Sequence, residues 1–153
     1  MLFSPRWDER DGTTYFAKGM KTKAKPIGIA LVICDQVITE AGTNKKSLIG
    51  VFNNVSARQF PCRHPKLCIF VSLTGGHGQT ETEVRCVKED TQQPLFGAQG
   101  QVAFENPNHV VEAVFEFNNV TFPSPGLHCV EVVSDGQLVL QRRFVVQEIP
   151  KEQ

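Results

Sequence analysis

A chain of 153 residues that is 41% hydrophobic and 21% charged is long enough to bury its own core as one domain and too apolar for global disorder. Its 16 Lys and Arg balance 16 Asp and Glu, so it lacks the basic excess of nucleic-acid and anionic-membrane binders, and neither nucleic acid nor membrane is an expected partner. Five cysteines, an odd number spread through the chain, leave a thiol over from any set of disulfides and read as small core hydrophobes of a cytoplasmic protein.

Residues 1–25 hold the lone Trp7 and Tyr15 and little apolar periodicity. They read as a disordered leader, or as an upstream start to a domain that begins near Met20. The domain itself is expected over 26–149, with a tail at 150–153. Met20–Lys25 followed by Ile27–Cys34 imitates the basic and apolar regions of a signal peptide. The apolar run is short, no small-x-small site follows, and Ile33 before Cys34 is too large for a lipoprotein signal. A buried strand is the better reading.

From Pro26 onward short alternating runs are broken by turn residues. The first strand region is Ile29–Val32 into Val37–Thr39, kinked around Asp35. A Gly42-Thr43-Asn44 turn leads to Ser47–Phe52. Arg58–Pro61 adds a short piece that Pro65 stops. Leu67–Leu73 places Leu67, Ile69, Val71 and Leu73 on one face. Beyond the loop Thr74–Gly78, Thr80, Thr82, Val84 and Cys86 alternate with Glu81, Glu83 and Arg85. Phe96–Phe104 carries Gly97 and Gly100, which suggest a bulge or a close strand crossing. Val110–Phe117 sets Val111, Ala113, Phe115 and Phe117 against Glu112 and Glu116. Leu127–Val133 and Leu138–Gln147 are joined by Asp135-Gly136, the signature of a type I′ hairpin. The expected fold is all-β: an antiparallel two-sheet β-sandwich, immunoglobulin-like or C2-like, of about eight strands.

Two stretches resemble a family of small uncharacterised bacterial proteins, a domain of unknown function. The first runs through Ala30–Asp35, Ser47–Phe52, Phe60-Pro61, His64-Pro65 and Leu67. The second is Phe117–Pro123 with Pro125-Gly126 and the Asp135-Gly136 hairpin. The resemblance covers about residues 28–147. It implies a compact β-sandwich and no activity, so no catalytic residue carries over. Where that family has a tyrosine two residues after the Pro-Gly glycine, this chain has His128.

The sharpest metal candidate is Cys62-x-His64-x3-Cys68, with Cys86 as a fourth ligand. Zinc prefers close ligand pairs, and the alternation of Cys68 and Cys86 with apolar positions favours core cysteines on neighbouring strands. The sequence has no G-x-S-x-G elbow and no cysteine paired with a base, so no catalytic residue is assigned. His64, His77 and His109 read as solvated loop residues, and His128 as a packing or hydrogen-bonding one. Gly75-Gly76-His77-Gly78 lacks the helix and lysine of a phosphate loop and reads as a hairpin turn. Asp35, Asp90 and Asp135 stand singly, unlike a calcium cluster. The domain offers no Trp or Tyr platform for sugars. Asn54-Val55-Ser56 and Asn119-Val120-Thr121 match the glycosylation sequon, which matters only on secretion. Glu112 and Glu116 share the wet face of one strand and do not form a glycosidase pair.

No cofactor is expected. The reading that remains is a non-enzymatic binding or scaffolding module for a protein partner, acting through loops or a sheet edge. An open sheet edge also offers a route to homo-oligomers. The alternatives are a metal protein or enzyme using Cys62, His64 and Cys68, and a secreted surface sandwich.

Overall fold

The computed structural model describes residues 25–150 and, as backbone alone, three short strands before them. These are β1 (Arg6–Asp8), β2 (Thr13–Tyr15) and β3 (Lys21–Lys23), paired antiparallel in that order. The expected disordered leader otherwise lies outside the described residues. So does most of the expected tail.

Nine strands follow: β4 (Ile27–Thr39), β5 (Lys46–Val51), β6 (Asn54–Ala57), β7 (Cys62–Thr74), β8 (Gly78–Lys88), β9 (Gln93–Phe104), β10 (Val110–Phe122), β11 (Gly126–Ser134) and β12 (Gln137–Glu148). They form a four-stranded sheet in the order β10-β7-β4-β5 and a five-stranded sheet in the order β6-β12-β11-β8-β9. The fold is all-β and sandwich-like. Its core lies between the sheets, built from the alternating residues of each inner face. Leu31, Ile33, Leu67, Ile69, Val71 and Leu73 meet Val84, Cys86, Val102, Val130, Val132 and Phe144 there.

The period-two expectations hold along most of this frame. Thr80, Thr82, Val84 and Cys86 are all fully buried. Val111, Ala113, Phe115 and Phe117 pack on the core while Glu112 and Glu116 stay exposed. Asp135 and Gly136 take φ of 47° and 80° between the paired Ser134 and Gln137, as a type I′ turn requires.

Other expectations are corrected. β4 runs through Asp35 without a break, pairing with β7 up to Cys34 and with β5 from Cys34 onward. The short piece placed at Arg58–Pro61 is instead β6, which pairs in parallel with β12, so the second sheet is mixed. Pro65 does not stop its strand. It sits opposite Asn119, whose φ is 54°, between the pairs Lys66↔Asn118 and His64↔Val120. No ladder bond is needed from proline there, and the inward-facing parity switches: Phe115 and Phe117 pack inward before Asn119, Val120 and Phe122 after it. Gly75–Gly78 is not a hairpin turn, because β7 and β8 belong to different sheets. Gly75 and Gly78, at φ of 79° and 69°, carry the chain across. Of the two glycines in β9, Gly97 marks a close approach, since a Cβ there would lie 2.9 Å from the Val84 carbonyl oxygen. Gly100 marks none within its own chain.

Candidate interaction surface

The structure does not gather the sequence's metal candidates. Cys62 is half-buried beside the core. His64 is half-buried in β7 rather than in a loop; its ring centroid lies 5.3 Å from that of Phe52, and its Nε2 is 3.6 Å from Asp35 Oδ1. Cys68 is buried opposite Cys34, its thiol donating to the Asp35 carbonyl at 3.6 Å. Cys86 belongs to the other sheet. Among the described residues no three His, Cys, Asp or Glu side chains are placed to hold one metal ion.

All five cysteines are free thiols. Burial raises each above the ordinary thiol pKa, and the thiol of Cys86 is pushed up to about 12. A thiol held this way is a poor nucleophile at neutral pH. Native protein is therefore expected to release little colour with a disulfide reagent at pH 7.5, and five equivalents once denatured. Rapid reaction of two or more native thiols would contradict this burial.

The remaining histidines divide. His109 is exposed and His77 half-buried. His128 is fully buried, as a packing and hydrogen-bonding residue should be; its Nδ1 lies 3.0 Å from the Gly126 carbonyl oxygen, to which it donates. Two shallow hollows, of about 410 Å³ beside Arg58, Glu148, Ile149 and Pro150 and about 230 Å³ beside Glu81, Glu83, Val133, Asp135 and Gly136, hold no nucleophile paired with a base.

What distinguishes the surface is where its apolar residues lie. Of the ten large hydrophobic side chains exposed among the described residues, seven lie on β4, β5 and β10: Ile27, Ile29, Ile38, Ile49, Val51, Val110 and Val114. The register places several of these at the ends of rows across the outer face of the four-stranded sheet, whose middle members Cys34, Cys68 and Phe70 are buried. Val51, Cys34, Cys68 and Glu116 make one row, Val32, Phe70 and Val114 the next, and Ile27, Thr74 and Val110 another. The outer face of the five-stranded sheet is charged instead. Arg85 bridges Glu131 at 3.3 Å and lies 3.9 Å from Glu83, and Arg143 pairs with Glu89 at 2.8 Å. Exposed aliphatics on that sheet are Leu127, Leu138 and Val145.

Sequence reasoning missed this face. The signal was present, because Ile27–Ile33 and Leu48–Phe52 are nearly continuous apolar runs, the pattern of strands with something to bury on both sides. On β10, Glu112 and Glu116 hid the alternating Val110 and Val114 between them. No described helix is long and apolar enough to cross a membrane.

The chain belongs to the family of unknown function DUF6941, whose pattern matches residues 29–147. No curated protein sequence matches it. Among solved structures it is similar to an alkylpurine DNA glycosylase of Pseudomonas fluorescens bound to DNA containing an abasic site analogue, at 10% identity and a TM-score of 0.44 over 82% of this chain and 31% of that one. It is similar to a β-glucosidase of Listeria innocua in complex with isofagomine, at 13% identity and a TM-score of 0.47 over 89% of this chain and 18% of that one. It is also similar to an immunoglobulin-like protein of Pseudomonas aeruginosa, at 15% identity and a TM-score of 0.40 over 82% of this chain and 99% of that one. The chain thus spans less than a third of the two enzymes.

Proposed function

We propose that this domain is a non-enzymatic interaction module whose binding surface is the apolar face carried by β4, β5 and β10. The observation behind this reading is the contrast between the two outer faces. Scattered exposed aliphatics are ordinary, whereas several aligned on one sheet mark a surface that gains from being covered. The charged face of the other sheet is already satisfied by water and by its own ion pairs. An apolar sheet surface broken only by Glu112, between the Val110 and Val114 rows, and bounded by the Lys66–Glu116 ion pair at 3.4 Å, suits a protein partner that presents its own apolar patch.

The finer assignments belong to the same reading. The strand connections favour an immunoglobulin-like arrangement, since β7 neighbours β10 and β8 neighbours β11, the interlocked pairing of a Greek key. Five free thiols favour the reducing cytoplasm of a bacterium.

The test compares binding partners captured from source cells by the full chain and by two variants. Val114→Lys places a charge at the β10 end of the apolar rows, and Gln141→Lys places one on the outer face of the opposite sheet. The proteins retained by wild type should be lost by Val114→Lys and kept by Gln141→Lys. Equal retention by both variants would overturn the assignment of this face.

A further inference from the structure

β9 is an edge strand of the five-stranded sheet, and its unpaired side can be worked out residue by residue. The Asp135 amide donates to the Glu81 carbonyl at 3.0 Å, so the backbone of Glu81 turns toward β11. Successive residues of an antiparallel strand turn alternately to one neighbour and the other. Thr80, Thr82, Val84 and Cys86 therefore face β9, where their partners are Val102, Gly100, Ala98 and Phe96. The N–H and C=O groups of Gly97, Gln99, Gln101 and Ala103 point away from the sheet, and all four residues are exposed.

Natural edges are normally blunted by charge, brevity or bulges. β5 has six residues and carries Lys46, β6 has four, and β10 carries Glu112 and Glu116. β9 has twelve residues and no charge; its bulge at Leu95 and its Pro94 lie near its start, outside Gly97–Ala103. Its segment Gly97-Ala98-Gln99-Gly100-Gln101-Val102-Ala103 is close to a palindrome about Gly100.

We infer that β9 pairs antiparallel with β9 of a second copy of this chain, about a two-fold axis at Gly100. In that register Gly97 faces Ala103 and Gln99 faces Gln101, each pair occurring twice by symmetry, for about eight new backbone hydrogen bonds. No like charges meet. Ala98 faces Val102, and the two Gly100 residues meet at a non-hydrogen-bonded position, where Cα atoms come within about 4.5 Å. This accounts for a glycine that the single chain does not require. A Cβ at Gly100 would meet nothing nearer than Phe115 Cε1 at 3.9 Å, and its φ is not positive, whereas Gly97 is held small by the Val84 carbonyl. The inference is independent of the apolar face, which lies on the other sheet.

Sedimentation velocity of the full chain up to roughly 100 µM tests it, since interfaces this small are typically weak and form only at high concentration. The wild type should pass from monomer to dimer with concentration. Gln101→Pro removes an N–H that the single chain leaves unbonded, a change edge strands tolerate, and should give a folded monomer. Gln99→Lys with Gln101→Lys sets like charges opposite one another and should also give a monomer. Gln99→Lys with Gln101→Glu opposes unlike charges across the axis and should restore the dimer. A wild type that stays monomeric throughout would overturn the inference, as would a dimer unaffected by the proline or double-lysine changes.

Discussion

Replacing Phe122 with alanine should lower the unfolding free energy by about 3–5 kcal/mol, the range for a buried aromatic lost from a core. Phe122 is fully buried near the end of β10. Its ring lies 5.9 Å from Phe144 and 5.4 Å from His128, both edge-on, and 6.5 Å from Phe96. These neighbours come from three strands of the opposite sheet, so the cavity cannot close by moving one side chain. Domains of this size have only about 5–15 kcal/mol in reserve. Urea denaturation checks the figure, with Val114→Ala as a control at an exposed site, expected to shift stability by only about 0.5 kcal/mol. A loss under about 1 kcal/mol at Phe122 would mean that the sheets do not meet through this ring.

Stability should also fall as pH drops below about 6.5, and His128 should be responsible for much of the fall. Its ring sits between Phe122 and Phe144, with Nδ1 donating to the Gly126 carbonyl and Nε2 buried without a partner among the described residues. Burial lowers its pKa below the ordinary 6.5, and Lys88 adds to the effect; the Gly126 hydrogen bond and Asp90 oppose it. The sign follows from proton uptake. Below 6.5 the unfolded chain protonates this imidazole and the folded chain does not, so the unfolded state binds more protons and stability declines. The contribution is fully present above the unfolded pKa and is lost as pH falls from there through the folded one. It amounts to about 1.4 kcal/mol for each unit between the two. Urea midpoints at pH 7.5 and 5.5 should separate clearly in the wild type and much less in His128→Phe, whose ring fits the same aromatic surroundings without titrating. An equal pH dependence in the two proteins would remove His128 from the explanation.

The residues that made the fold legible are those whose local chemistry has one reading. Asp135-Gly136 demanded positive φ at both positions and could only be a tight hairpin. Thr80 to Cys86 and Val111 to Phe117 alternate so regularly that their inner faces followed directly. What misled was chemistry that depends on the neighbouring strand. Pro65 breaks a strand only if its N–H is needed, and here Asn119 opposite relieves that need while switching the inward-facing parity of its strand. β6 has too few residues to show a period, and its parallel partner β12 lies far along the chain. The glycines of the Gly75–Gly78 loop indicated a turn without telling a hairpin from a crossing between sheets.

The site was less legible than the fold for a related reason. Cys62, His64 and Cys68 are near one another in sequence, but Cys68 is buried opposite Cys34 while Cys62 and His64 lie beyond the parity switch at Pro65, with Cys62 packed beside the core. Conversely, Ile27, Val51, Val110 and Val114 are distant in sequence and come onto one sheet face only when β10, β7, β4 and β5 align. The near-palindrome about Gly100 was visible from the start, yet it carries meaning only once β9 is known to be an edge.

Amide hydrogen exchange of the full chain, alone and with its captured protein partner, tests the proposed binding face most directly. Protection on binding should fall on β4, β5 and β10, over Ile27–Val32, Lys46–Val51 and Val110–Glu116, and leave the charged face of β8 and β11 unchanged. Protection confined to β8 and β11, or to the loops at the ends of the sandwich, would contradict it.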